Sequence, residues 1–191
     1  MKTLCASAMI MLVIVSCQRS VSRVSPETQT DLSGRWNDTD SHMVANKMIQ
    51  ELLASPKLAE YTKEKGKKPA IVIGLIKNKT SEHIDANAYI KKLEVAIFNS
   101  NLADLVESEE FRDHLRQERA QQQDFADPST VSKWGKEIGA DLMLFGEMTS
   151  ETDTNSNTRI VNYITTLFLT DIETNKRVWY GQQEIKKIVR N

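Results

Sequence analysis

Few residues in this chain are equipped for bond-making chemistry, and the one best placed for it is Cys17. It closes an apolar run, directly follows Ser16, and is the sole cysteine beyond that run, since Cys5 lies inside it. A thiolate is a soft nucleophile, so Cys17 is suited to take a diacylglyceryl group as a thioether. With Cys5 in the segment ahead of a cleavage point, no internal disulfide is expected. The histidines His42, His83 and His114 form no His-x-x-x-His pair and no Cys-x-x-Cys accompanies them, so no metal site is signalled. There is no Gly-x-Ser-x-Gly elbow and no glycine-rich phosphate loop. Glu109 and Glu110 are adjacent, diverge by about 100° on a helix, and cannot flank one glycosidic bond. The expectation is a protein without a catalytic site, a cofactor or a metal.

Binding chemistry is better represented. In the run Asp31-Leu-Ser-Gly-Arg-Trp-Asn-Asp-Thr-Asp40, Arg35, Trp36, Asn37 and Asp38 sit on a turn-rich segment beside a helix start. Arg and Trp are the side chains enriched where proteins dock, which makes these four the candidate partner-binding residues. An alternative stays open: Trp36 folds back as a satellite of the core while Asp31 and Asp38 bond to backbone.

Residues 1–16 differ in character from the rest, with Lys2 followed by a largely apolar stretch from Leu4 to Val15. About a dozen apolar residues are too few to span a bilayer, which takes about 20, so the stretch reads as a cleaved leader. Ile14-Val15-Ser16-Cys17 resembles the lipobox of bacterial lipoproteins, which implies cleavage before Cys17 and its lipidation. Two or three acyl chains, at about 0.8 kcal/mol per buried methylene, anchor a protein durably. Gln18 in place of an aspartate resembles cargo sorted to the outer membrane.

The 191 residues suit one domain, and a net charge of −1 with 27% charged and 40% hydrophobic residues favours neither disorder nor nucleic-acid binding. The expected layout is a signal peptide over 1–16, a lipidated N-terminus and flexible tether over 17–30, and a globular domain over 31–191. The tether, polar and containing Ser20, Ser22, Ser25 and Pro26, reaches about 40 Å at full extension.

Periodicity supplies the elements that must carry the site. Val44, Met48 and Leu52, with Ala45 and Ile49, predict a helix capped by Asp38, Thr39 or Asp40 and limited by Pro56. The β-branched run Ala70–Ile76 predicts a buried central strand. Ile90, Leu93 and Ile97 predict a helix ended by Asn99-Ser-Asn101, and Leu102–Val106 a second strand. The charged stretch Glu109–Gln123 predicts an exposed helix. Ser129 or Thr130 would cap another helix carrying Val131, Trp134 and Ile138, with Gly139 as its left-handed stop. A strand at Leu142–Phe145, a polar link over Thr149–Thr158, a strand over Arg159–Ile172, a turn at Glu173–Lys176 and a charged edge strand to Ile188 complete the pattern. This is an α/β chain with a mixed four- to five-stranded sheet flanked by helices.

The lipobox, the tether, the Asp31–Asp40 run, the helix through Ile49, Gly139-Ala-Asp-Leu142 and Gly146-Glu147 together resemble the LpoB-like family of penicillin-binding-protein activators. That resemblance implies a domain similar to the TolB N-terminal fold. It also implies an outer-membrane lipoprotein that contacts a class A penicillin-binding protein and stimulates peptidoglycan synthesis, without an active site of its own. The tether here is shorter than the long Pro-rich segment of the best-known members. A second reading therefore stands beside the first: a non-catalytic adaptor lipoprotein in a secretion or other envelope assembly. A hydrolase ranks third.

Overall fold

The computed structural model describes residues 20–25, 28–132 and 136–190. Its sheet is organised around the β-branched run, which forms β1 (Ala70–Asn78). α3 (Ala86–Ser100) crosses back to β2, the two residues Asp104–Leu105, parallel to β1. On the other side of β1 lies β3 (Leu142–Thr154), also parallel, followed by the antiparallel strands β4 (Thr158–Asp171) and β5 (Arg177–Arg190). The order is β2-β1-β3-β4-β5, a mixed five-stranded sheet. As expected, β1 is internal, β4 is internal, and the charged final strand forms an edge.

Side-chain alternation assigns the two faces. In β4, Val161, Tyr163, Thr165, Leu167 and Leu169 are all buried, while the residues between them are half-buried. The buried face receives α1 (Asp38–Leu53) through Val44, Ala45, Met48, Ile49 and Leu52, and α3 through Tyr89, Leu93 and Ile97. The α1 stripe is the one the 3.6-residue period picks out; on α3 Leu93 and Ile97 are as expected, but Tyr89 is the fully buried residue of the first turn and Ile90 is half-buried beside it. The short α2 (Pro56–Lys65) starts on Pro56, whose fixed φ suits a first turn, and stops at Gly66 with φ 65°. Gly146 faces this packed layer where β3 meets β4; a Cβ there would run into the Thr166 carbonyl oxygen and the Leu167 side chain.

Three expectations need correction. The cap of α1 is Asn37: its side chain accepts from the Asp40 N–H at 3.1 Å while Asp40 accepts from the Asn37 N–H at 2.8 Å. Asp40 is thus the N3 half of a capping box, in the first turn, rather than the cap itself. The polar link begins later than expected, because Thr149–Thr154 continues β3 and pairs with Arg159–Ile164. Backbone pairing needs no apolar side chain, and threonine suits an extended chain. The turn is confined to 155–157, where Asn155 Oδ1 accepts from the Asn157 and Thr158 N–H groups.

The helix expected at Val131–Ile138 is not formed by the described residues, and Gly139 does not take the left-handed conformation. Asp127 closes a turn instead, accepting from the Ser129 N–H at 2.8 Å and its hydroxyl at 2.7 Å. The stretch then bonds to α4 (Glu109–Phe125): Ser132 exchanges hydrogen bonds with Gln122 and Gln123, and Glu137 pairs with Arg116 and Arg119. Ile138 is 78% exposed, and Trp134 lies outside the described residues. α4 itself is the exposed helix expected, without a buried residue.

Candidate partner-binding site

The Asp31–Asp40 run is brought against the far end of the packed sheet face by Lys187. This lysine points inward from β5 opposite Val161, and its ammonium meets Asp31 at 2.8 Å, Asp40 at 2.6 Å and the Arg35 carbonyl at 3.0 Å. The three contacts use its three N–H donors. Only 11% of the Lys187 side chain and 5% of the Asp40 side chain remain exposed. Burial alone would pull the Lys187 pKa down, but the hydrogen bonds to Asp31 and Asp40 push it above the ordinary lysine range. Asp31 is held below the usual carboxylate range by its bond to Lys187, helped by Asn37 and Gln29.

Trp36 completes the clasp. Its backbone N–H donates to Glu82 at 3.0 Å, its indole N–H donates to the Ser41 hydroxyl at 2.8 Å, and its ring meets Tyr163 edge-on with centroids 5.5 Å apart. The Tyr163 hydroxyl donates to Glu82 Oε1 at 2.6 Å and lies 3.1 Å from the Gly34 carbonyl. Burial first, then that neighbouring carboxylate, makes Tyr163 much harder to ionise. Gly34 is required by close approach, because a Cβ there would collide with the Val189 side chain.

The four candidate residues are therefore together but unequal. Trp36 and Asn37 are half-buried and spend their polar groups inside the fold. Arg35 uses its backbone in the clasp and leaves its side chain exposed. Asp38, with its side chain 70% exposed, pairs with Lys92 at 3.2 Å and lies 3.6 Å from His42. Lys187, Glu82 and Tyr163 were not visible as site residues in the sequence. Lys187 reads there as an edge guard, and only its place in the alternation, on the face of Ile185, hints that it turns inward. Cys17 lies outside the described residues. Among the described residues, no group of three His, Cys, Asp or Glu side chains is placed to hold a metal, and no helix is long and apolar enough to cross a membrane.

A family model, the peptidoglycan-synthase activator LpoB, matches residues 40–185. The chain belongs to the LpoB family. Membership carries a general role in activating a peptidoglycan synthase, exercised as a regulator in the cell envelope. The matched span begins at Asp40 and stops at Ile185, so Asp31, Trp36 and Lys187 lie just beyond it at either end. Among solved structures, the chain is similar to the LpoB C-terminal domain of Escherichia coli, at 15% identity and a TM-score of 0.38 over 69% of this chain and 96% of that one. The corresponding domain from Salmonella enterica gives 16% identity and a TM-score of 0.37 over 69% and 94%. A lipoprotein from Neisseria meningitidis gives 15% and 0.35 over 62% and 83%. No curated protein sequence matches the chain.

Proposed function

We propose that this LpoB-family chain is an outer-membrane lipoprotein that binds a class A penicillin-binding protein and stimulates its peptidoglycan synthesis, without catalysing a reaction itself. The observation that carries the reading is the family match across β1 to β5 and the helices between them. Residues 1–16 are the leader, Cys17 carries the lipid, 17–30 form the tether and 31–191 the domain. Binding acts by preference: the domain holds one conformation of the synthase more tightly, and activity rises by no more than that difference in affinity allows. Within the clasp, Arg35 and Asp38 are the members open to a partner, while Trp36 and Asn37 hold the segment in place. A leash of about a dozen residues reaches about 40 Å, so the partner must approach the outer membrane closely.

Crosslinking in cells, followed by identification of the captured protein, tests the reading. A class A penicillin-binding protein is the expected capture, and the purified pair should polymerise glycan faster than the synthase alone. Capture of secretion-system components, with no effect on the synthase, would favour the adaptor reading. Turnover of wall fragments by the isolated domain would point to an enzyme.

A further inference from the structure

The sheet face turned away from α1 and α3 carries a row of aromatic side chains in cross-strand register. Phe145 of β3 stands opposite Phe168 of β4, which stands opposite Tyr180 of β5. The first pair meets edge-on with centroids 5.3 Å apart, and the second is tilted at 5.5 Å. A bulge in β1 sets Gly74 and Leu75 across from Phe145, and Leu75 is 64% exposed, Tyr180 51% and Met143 37%. The row is therefore a partly exposed apolar strip, its two phenylalanines half-buried between the exposed Leu75 and Tyr180.

Arg177 gives that surface its polarity. Its guanidinium lies 4.2 Å from the centre of the Phe168 ring and 5.7 Å from that of Tyr180. Among the described residues no carboxylate pairs with it, whereas Lys65, which lines the same groove, pairs with Glu173. Stacking holds a guanidinium plane rigid and leaves its edge donors free, in the fork that matches a carboxylate. An exposed Arg framed by aromatic rings is also the composition at which binding energy concentrates.

We infer that the Phe145–Phe168–Tyr180 row with Arg177 is the principal partner-docking surface, and that its occupant is a protein segment presenting a carboxylate beside apolar side chains. The inference rests on the synthase-activator reading and assigns that segment to the synthase. Charge complementarity names the occupant: a stacked cation without a counter-ion is met by an acidic group, and the flanking rings are met by apolar ones. Placement agrees. The clasp covers the packed face at Val161 and Tyr163, whereas the row lies on the opposite face around Phe168, five to seven residues farther along β4 and about 17 to 23 Å away along the strand. The tether therefore leaves the domain from the opposite face and the opposite end.

The test measures binding of the mature lipidated chain, in detergent, to a purified class A penicillin-binding protein, comparing the parent with Arg177→Glu, Arg177→Lys and Tyr180→Ser. Arg177→Glu should weaken binding about a hundredfold and Tyr180→Ser about tenfold. Arg177→Lys should fall between parent and Arg177→Glu, because it keeps charge and loses the fork. Thermal unfolding of each variant confirms the fold. Parent-like affinity in folded Arg177→Glu and Tyr180→Ser would overturn the surface while leaving the activator reading intact. Absence of any affinity in the parent would overturn both. Two further results would also remove the assignment: loss of binding only with Arg35→Ala or Asp38→Ala, or parent self-association abolished by Arg177→Glu, which would make a second copy the occupant.

Discussion

Lys187 and Asp40 meet at 2.6 Å with little of either side chain exposed, one from the last strand and the other from the first turn of the first helix. The contact ties the two ends of the domain together and fixes the segment through which the tether enters. Neither residue is spare: Asp40 also accepts from the Asn37 N–H, and Lys187 also holds Asp31 and the Arg35 carbonyl.

Lys187→Met should therefore cost more than an exposed ion pair would. The methionine stem fits the space of the lysine stem, but Asp40 is left as a buried carboxylate without a counter-charge, a loss of about 3 kcal/mol. Urea unfolding monitored by tryptophan fluorescence measures it. Limited proteolysis should show cleavage near residues 31–36 in the variant and protection in the parent. Equal midpoints and equal protection would mean that the clasp does not stabilise the domain.

The clasp also marks where sequence reasoning ends. Val44, Met48 and Leu52 were legible because a helix repeats its buried face within seven residues, and Ala70–Ile76 because a buried strand leaves a continuous β-branched run. Lys187 meets Asp31 across 156 residues, and no local period encodes such a contact. The helix expected at Val131–Ile138 shows the converse: an apolar spacing existed, but Asp127 and the α4 side chains offered the backbone other partners. The aromatic row was half legible. Apolar residues on both faces of β4 placed it inside the sheet, yet the open side of Phe168 appears only once its neighbours are known.

Acid should weaken the turn between β4 and β5 through Asp171. This buried carboxylate accepts from the Thr174 N–H at 2.7 Å, the Thr174 hydroxyl at 2.8 Å and the Tyr61 hydroxyl at 2.9 Å. The Thr174 bonds, first the backbone N–H and then the hydroxyl, hold its pKa below the ordinary aspartate value. A folded pKa below the unfolded one adds stability that is complete above the unfolded value, about 4, and is lost as pH falls through the folded one. Urea midpoints measured from pH 6 to pH 2.5 should fall more steeply in the parent than in Asp171→Asn. Parallel slopes would count against this role.

Gly146→Ala should destabilise although it adds only one methyl group. The new Cβ meets the Thr166 carbonyl oxygen, which is backbone in a paired strand and cannot rotate aside. Overpacking of this kind costs about 2 kcal/mol, readable as a lower thermal midpoint. An unchanged midpoint would show that β3 and β4 separate locally at little cost.

Arg35→Ala and Trp36→Ala should part company, and their difference bears on what the segment does. The Arg35 side chain is exposed and the clasp uses only its backbone, so truncation should change stability by less than about 0.5 kcal/mol. Trp36 packs on Tyr163 and donates to Ser41, so its truncation opens a gap over the sheet and leaves the Tyr163 ring uncovered, at about 2 kcal/mol. Thermal unfolding and synthase binding, measured on both variants, separate the two parts of the segment. Weakened binding in Arg35→Ala with an unchanged midpoint would place Arg35 in the contact. Weakened binding in Trp36→Ala that follows only the fraction unfolded would make that tryptophan a structural residue. If Trp36→Ala kept the parent midpoint, the clasp would not depend on the indole as argued.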